Sequence, residues 1–279
     1  MRFLFWWWLI CLPLAAEVVL EVGHTGHSQG VAEQVLSQLM RAWRGPSLTL
    51  RIAPPRTDLE TLQALQDGDL QLALVRSSLL VNYHRRWGVT SLAYQWEEPD
   101  AFLKGPQGQQ LLQLRLDDLS CLGVIPLGPR LLASDRPLSR WEQLRGRTVL
   151  TSQNRFLWET FLEVGAHPVC VTALSLPERL EHFPGAVCDL TWNDYQELGL
   201  RQRLPYLWNP GYANEWLVLV ANSRALARLS TSQLERLRGP LLDRKAYSVR
   251  ASQAPPIQKD GDPFRSLRER ALRLCGGGL

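Results

Sequence analysis

Cysteine is scarce in these 279 residues and never closely spaced: the five lie at positions 11, 121, 170, 188 and 275. Without a C-x-x-C pair there is no sequence basis for a structural zinc site. A G-x-S-x-G elbow, a Walker loop and a G-x-G-x-x-G fingerprint are missing too. Hydrolase, nucleotidase and dinucleotide chemistry therefore have no anchor, and no catalytic residue or cofactor is assigned. His24 and His27 flank Thr25-Gly26 in a loop without a carboxylate or thiol beside them, so they read as turn residues and no metal ligand is assigned. Charge of one sign is also lacking. Lys and Arg number 31 against 27 Asp and Glu, a net +4 with the two signs interspersed. No basic stripe is left for tracking phosphates, which argues against nucleic acid as a partner. No apolar run reaches the ~20 residues that span a bilayer, and no short-period repeat occurs.

The amino end carries an address. Met1-Arg2 supplies a positive start, Phe3 to Leu14 is an apolar run, and Ala15-Ala16 offers a small-residue exit before Glu17. These are the parts of a secretory leader over residues 1–16. Cys11 follows Ile10 rather than a small residue, so no lipid anchor is expected. The expectation is a soluble periplasmic protein with no direct membrane insertion after cleavage. An oxidising compartment permits a disulfide, for which Cys170 and Cys188 are the pair to test, but both lie in apolar, strand-like runs and buried free thiols are the favoured reading.

The length suits two ordinary domains. From Glu17 the chain alternates strand and helix. Glu17–Val22 is β-branched and apolar, and Val31, Val35, Leu39, Met40 and Trp43 recur at helical spacing. Leu48, Leu50 and Ile52 alternate as in a half-buried strand. Thr57-Asp58 caps a helix that Gly68 stops, and Leu70–Val75 is a buried strand. A second block repeats the alternation: strand 148–151, helix 153–164 stopped by Gly165, strand 169–172, helix 177–183 and strand 186–190. A strand over 217–221 follows, then a helix over 230–237 ended by Gly239. Residues 251–263 read as a linker and 264–275 as a helix. Such βαβ alternation predicts two α/β lobes, mostly parallel sheets, and a ligand crevice at the carboxyl ends of the strands. A clamshell binding protein and a two-domain enzyme both fit this pattern.

A series of short motifs separates the two. In order they read Gly128-Pro129-Arg130, Arg136-Pro137-Leu138, Leu144-Arg145-Gly146, Gly165-Ala166-His167-Pro168-Val169, and Asp189 with Asn193. Upstream stand Leu65-Gln66-Asp67-Gly68-Asp69-Leu70 and Lys104-Gly105-Pro106-Gln107-Gly108. Their order and spacing resemble the extracytoplasmic solute-binding proteins of tripartite ATP-independent periplasmic (TRAP) transporters, in the dicarboxylate-binding (DctP-like) branch, as a divergent member. The likeness runs from Val18 to Gly239. It implies a periplasmic-binding-protein-like clamshell of two βαβ domains, with crossing strands, a long helix and a central ligand cleft. The lobes would comprise residues 17–127 plus 213–245 and residues 128–212 plus 246–279. The partners it implies are a small-molecule ligand, a carboxylate among the options, and TRAP membrane subunits.

The resemblance also implies an arginine on the strand after the Leu-x-Gly turn, where a planar fork holds the ligand carboxylate. This chain has Leu150 there. Three explanations stay open: Arg130 carries the anion with help from Arg155 or Arg76, the ligand lacks a carboxylate, or binding has been lost. Arg130 and Asn193 are the ligand-binding candidates that the motifs supply, with an inter-domain ion pair and a helix-cap amide as their competing roles. Arg76, Ser77 and Ser78 follow a buried strand at the crevice. Trp192 is placed to stack on a ligand or to pack in the core. Thr151, Ser152 and Asn154 follow the Leu150 strand as hydrogen-bonding replacements or as caps of the next helix. The function expected is capture of a small organic acid or related metabolite for transport. The rival is a periplasmic ligand-sensing or scaffold module of the same fold without a transport role.

Overall fold

The computed structural model describes residues 18–24, 30–44, 48–91, 105–116, 118–242, 255–258 and 262–274. The expected leader with Cys11, and also His27, Lys104, Cys275 and most of the expected linker, lie outside them.

The first lobe runs β1 (Val18–His24), α1 (Val31–Trp43), β2 (Leu48–Ile52), α2 (Asp58–Asp67), β3 (Leu72–Arg76) and the short α3 (Ser77–Leu80). A 3₁₀ helix (Arg85–Ser91), α4 (Pro106–Leu112) and β4 (Arg115–Leu116) lead into β5 (Leu119–Ser134). The second lobe contains β6 (Thr148–Thr151), α5 (Arg155–Glu163), β7 (His167–Cys170), α6 (Leu176–His182), β8 (Val187–Thr191), α7 (Trp192–Glu197) and β9 (Tyr206–Trp208). The chain then returns through β10 (Asn214–Asn222), α8 (Ser223–Leu226) and α9 (Thr231–Leu242), and α10 (Arg265–Leu274) comes last.

Local chemistry explains several boundaries. Thr57 and Glu60 form a reciprocal capping box at the start of α2, and Gly68, with φ of 89°, closes it in the left-handed region. α1 buries Val31, Val35, Leu36, Leu39 and Trp43 along one stripe against the sheet.

Strand order is β2-β1-β3-β10-β5-β8-β6-β7, with β4 and β9 also paired to β5. β1 pairs in parallel with β2 and β3, and β6 with β7 and β8. β10 is antiparallel to β3 and β5, and β5 to β8. The expectation of mostly parallel sheets is thus corrected to parallel flanks joined by antiparallel crossing strands. β5 makes the crossing: residues 119–129 pair with β10, and Arg130 onward pairs with β8 and β9. Gly123, Pro126, Gly128 and Pro129 punctuate it, so its 16 residues do not read as one strand in the sequence. The ladder accommodates them with two register shifts.

Each lobe has an apolar cluster on either face of its sheet. In the second lobe, Trp141 meets Trp208 at 4.9 Å and Phe264 at 4.7 Å between ring centroids, so the start of α10 docks into that core. α9 continues through Gly239 and Pro240 rather than stopping at Gly239. Leu237 and Leu241 are buried, and the Leu241 side chain lies so close to Gly123 of β5 that a Cβ there would meet it at 2.8 Å. Packing overrides the breaker. No helix among the described residues exceeds the 13 of α1, so the long helix implied by the resemblance is not among them.

The Cys170–Cys188 bridge that the sequence left to be tested does not form. β6 lies between β7 and β8, pairing Thr151 with Cys170 and Leu150 with Cys188. Two strand spacings, about 10 Å, exceed the ~7 Å reach of a disulfide. Both thiols are free, Cys188 buried and Cys170 exposed. No helix among the described residues is long and apolar enough to cross a membrane.

Candidate functional site

Three strands of the parallel flanks end at one crevice. β3 delivers Arg76 and then Ser77-Ser78, β6 delivers Thr151 and then Ser152-Gln153, and β8 delivers Asp189 and then α7 with Asp194. Carboxyl ends of strands at a change of direction are where α/β sheets place ligands. The cleft is lined by Asp58, Arg76, Ser78 and Leu79 from the first lobe, and by Ser152, Gln153, Thr172, Asp189 and Asp194 from the second. Val171, Leu176, Leu190 and Leu198 form an apolar wall, and Arg130 stands at the crossing. Counted out to its open mouth the cleft measures about 600 Å³. The free cavity is only about 50 Å³, room for roughly four waters.

Both arginines are engaged by the protein itself. Arg130 donates Nε to Asp189 Oδ1 at 2.7 Å, Nη2 to Asp189 Oδ2 and to the Asp189 carbonyl at 3.0 Å, and Nη1 to Glu215 Oε2 at 2.6 Å. Asp189 also accepts from the Thr151 and Tyr212 hydroxyls. Glu215 accepts from Ser77 Oγ at 2.9 Å and from the backbone N–H groups of Ser78 and Trp216 at 3.2 Å. A carboxylate offers about four lone-pair sites, so both acids are saturated. Burial and the Asp189 charge push the Tyr212 phenol well above its ordinary pKa, keeping it a proton donor.

Arg76 bridges the lobes. Its Nη1 and Nη2 donate to Asp194 Oδ2 at 2.9 Å and Oδ1 at 2.6 Å, a two-pronged pair with both partners buried. Asp194 is held in position by a reciprocal cap in which Thr191 Oγ1 donates to Oδ2 at 2.7 Å and accepts from Asp194 N–H at 3.2 Å. Burial alone would raise the Asp194 pKa. The Arg76 charge and the Thr191 bonds outweigh it and bring the value down to about 2. Burial alone would lower the Arg76 pKa, and the facing Asp194, Glu215 and Asp58 charges raise it instead. At neutral pH both stay ionised.

The site thus gathers two cations, Arg76 and Arg130, and four carboxylates, Asp58, Asp189, Asp194 and Glu215. An added anion about 5 Å from one of these carboxylates would meet about 3 kcal/mol of repulsion from it at an effective dielectric of about 20.

Of the residues singled out from the sequence, Arg130, Arg76 and Ser77 converge on this network. Asn193 is buried beside Asp194, its Nδ2 without a hydrogen-bond partner, but it is not in the cleft lining. Trp192 is half-buried against the second core, its ring 5.9 Å from that of Tyr195. Asn154 accepts from the Phe156 and Leu157 N–H groups as the cap of α5, and donates Nδ2 to Ser91 Oγ of the other lobe at 2.8 Å. Arg155 is 73% exposed, pairs with Glu159 at 2.7 Å and stands outside the lining. Leu150 is fully buried in the cluster that also holds Val171, Leu176 and Leu190. His24 is buried with Nε2 3.9 Å from Glu33, and no group of three metal-ligating side chains occurs among the described residues.

Asp194, Glu215 and Tyr212 were missed. A signal existed: Glu215 opens the strand Asn-Glu-Trp-Leu-Val-Leu-Val, and an acid inside an apolar run must be paired to be buried.

A sequence model of bacterial extracellular solute-binding protein family 7 (DctP) matches residues 54–232. The chain is 24% identical over 166 residues to the C4-dicarboxylate-binding protein DctB of Bacillus subtilis, a stretch covering 56% of this chain and 47% of that protein. It is 22% identical over 176 residues to YiiZ of Salmonella typhimurium, covering 59% and 54%. The chain therefore spans about half the length of the curated relatives it matches. Among solved structures, a TRAP periplasmic solute-binding protein of Ralstonia eutropha with bound (S)-2-acetolactate superposes with a TM-score of 0.80 at 14% identity, over 93% of this chain and 95% of the other. One from Polaromonas bound to D-erythronate gives 0.78 at 17% identity, over 94% and 95%. One from Pseudomonas aeruginosa with L-malate gives 0.74 at 14%, over 93% and 88%. At these identities the superpositions speak for the fold alone.

Proposed function

This chain belongs to family 7 of the bacterial extracellular solute-binding proteins, and from that premise we propose that it is the periplasmic solute-binding subunit of a TRAP-type transporter. It captures a small organic acid or related metabolite between lobes formed by residues 17–127 plus 213–245 and 128–212 plus 246–279. The closed form then docks on TRAP membrane subunits. The observation that carries this reading is the cleft at the carboxyl ends of β3, β6 and β8, walled by polar groups of both lobes. A ligand touching both walls favours the closed arrangement by its differential affinity for it.

The test is a thermal-shift and calorimetric screen of the chain from Glu17 onward against organic acids, amino acids and neutral metabolites. A ligand at a hundredfold excess over its Kd should raise Tm by about 5–10 °C. Failure of every class to shift Tm or to give binding heat would sink the reading. A second reading, a ligand-sensing or scaffold module of the same fold, draws on the direct Arg76–Asp194 pair between the lobes. It predicts no capture of the chain by co-expressed TRAP membrane subunits, with or without ligand.

A further inference from the structure

Resting on the solute-binding reading above and narrowing it, we infer that the cleft takes a small uncharged polar molecule and not an organic anion. Arg130 has spent four of its five N–H groups on Asp189 and Glu215, with its side chain 4% exposed. Arg76 has its fork on Asp194. An incoming carboxylate finds no cation without a resident partner, and it faces Asp58, Asp189 and Asp194 in the same lining. The excess of carboxylates favours a cation by charge alone, but the hydrogen-bonding positions of three of them are taken. Asp189, Asp194 and Glu215 each already accept four donors, and an ammonium would lie against Arg76.

What remains open are single hydrogen-bonding positions. Arg76 has three N–H groups that make no hydrogen bond among the described residues, since only Nη1 and Nη2 donate, once each. Ser152 Oγ is buried at the cleft wall without a partner. Ser78 and Gln153 line the same space, together with the apolar Val171, Leu176 and Leu190. An N–H donor to a hydroxyl or amide oxygen, an acceptor or donor from serine, and an apolar flank fit a short polyol or hydroxyamide. The free volume of about 50 Å³ suits a molecule displacing roughly four waters.

The experiment compares matched neutral and anionic probes on the intact mature chain by calorimetry and thermal shift: erythritol against D-erythronate, lactamide against lactate, and malamide against malate. The neutral member of at least one pair should bind tenfold or more tighter than its acid. Asp194→Asn, which releases the Arg76 fork, should then gain at least tenfold in affinity for the anionic members. Far-UV circular dichroism and a cooperative melt show whether the variant folds, and the wild-type comparison stands without it. Tighter binding of an acid by the wild-type chain, lost in Arg76→Gln, overturns the inference while leaving the solute-binding reading intact. Tighter binding of an amine such as ethanolamine than of any neutral probe overturns it likewise. Absence of binding by neutral, anionic and cationic probes alike overturns both.

Discussion

Asp194 is fully buried and still more acidic than an exposed aspartate, because Arg76 and Thr191 stabilise its charge more than burial penalises it. Its pKa of about 2 lies below the ordinary 3.8, so the pair contributes stability that is complete above about pH 4 and is lost as pH falls through 2. The difference corresponds to about 2 kcal/mol. Between pH 5 and pH 2.5, urea melts of wild type should lose about two-thirds of that increment, and Asp194→Asn should lack that part of the acid step; an identical acid dependence in the variant would refute the assignment. Arg130→Leu leaves Asp189 and Glu215 buried without their cation, a defect of about 3–5 kcal/mol. A stability loss in urea below about 1 kcal/mol would show that the network is not what holds the crossing together. At this scale the arginines were legible in the sequence, because a cation after an apolar strand has few placements. Their partners were not: Asp194 reads as an ordinary first-turn acid, and only the fold brings it across to Arg76, 118 positions away in the chain.

The elements explain why so much of the alternation was readable and why β5 was not. β2 and β6 fall where alternation and β-branching place them, and α1 and α2 where spacing, the Thr57 cap and Gly68 do. β5 hides because its glycines and prolines are local breakers, while its partners beyond the two-residue β4, namely β10 on one side and β8 and β9 on the other, are 50 or more positions distant. Between lobes the contact is equally non-local. Gly88, in the 3₁₀ helix of the first lobe, lies under the Phe156 ring of α5, where an added Cβ would come within 2.1 Å of a ring carbon. Gly88→Ala must therefore displace Phe156 or the 3₁₀ helix, at a cost of about 1–3 kcal/mol typical of overpacking. Gly88→Ala combined with Phe156→Leu should recover part of that loss in chemical denaturation. If the double variant were as unstable as the sum of the two singles, the contact would not be the cause.

For the whole molecule, the lobes are tied directly by protein groups at several points around the cleft. Arg76 pairs with Asp194, Asn82 Nδ2 donates to the Gln153 carbonyl at 2.6 Å, Val31 N–H donates to Glu197 Oε1 at 2.6 Å, and Asn154 reaches Ser91. A clamshell held this way spends part of its closing free energy before any solute arrives, so its open–closed balance should depend on these bonds as well as on ligand. Small-angle scattering of the purified chain tests this. The radius of gyration should be that of a compact particle, about 18–19 Å for this length. Asp194→Asn with Asn82→Ala, which removes one buried and one exposed tie, should raise it. Raising salt to 0.5 M should leave wild type unchanged, because buried pairs are screened far less than exposed ones. A wild-type chain that scatters like the double variant would mean that the four contacts do not set closure. The solute would then have to supply that free energy itself, and the Arg76–Asp194 pair would be a consequence of closing rather than one of its causes.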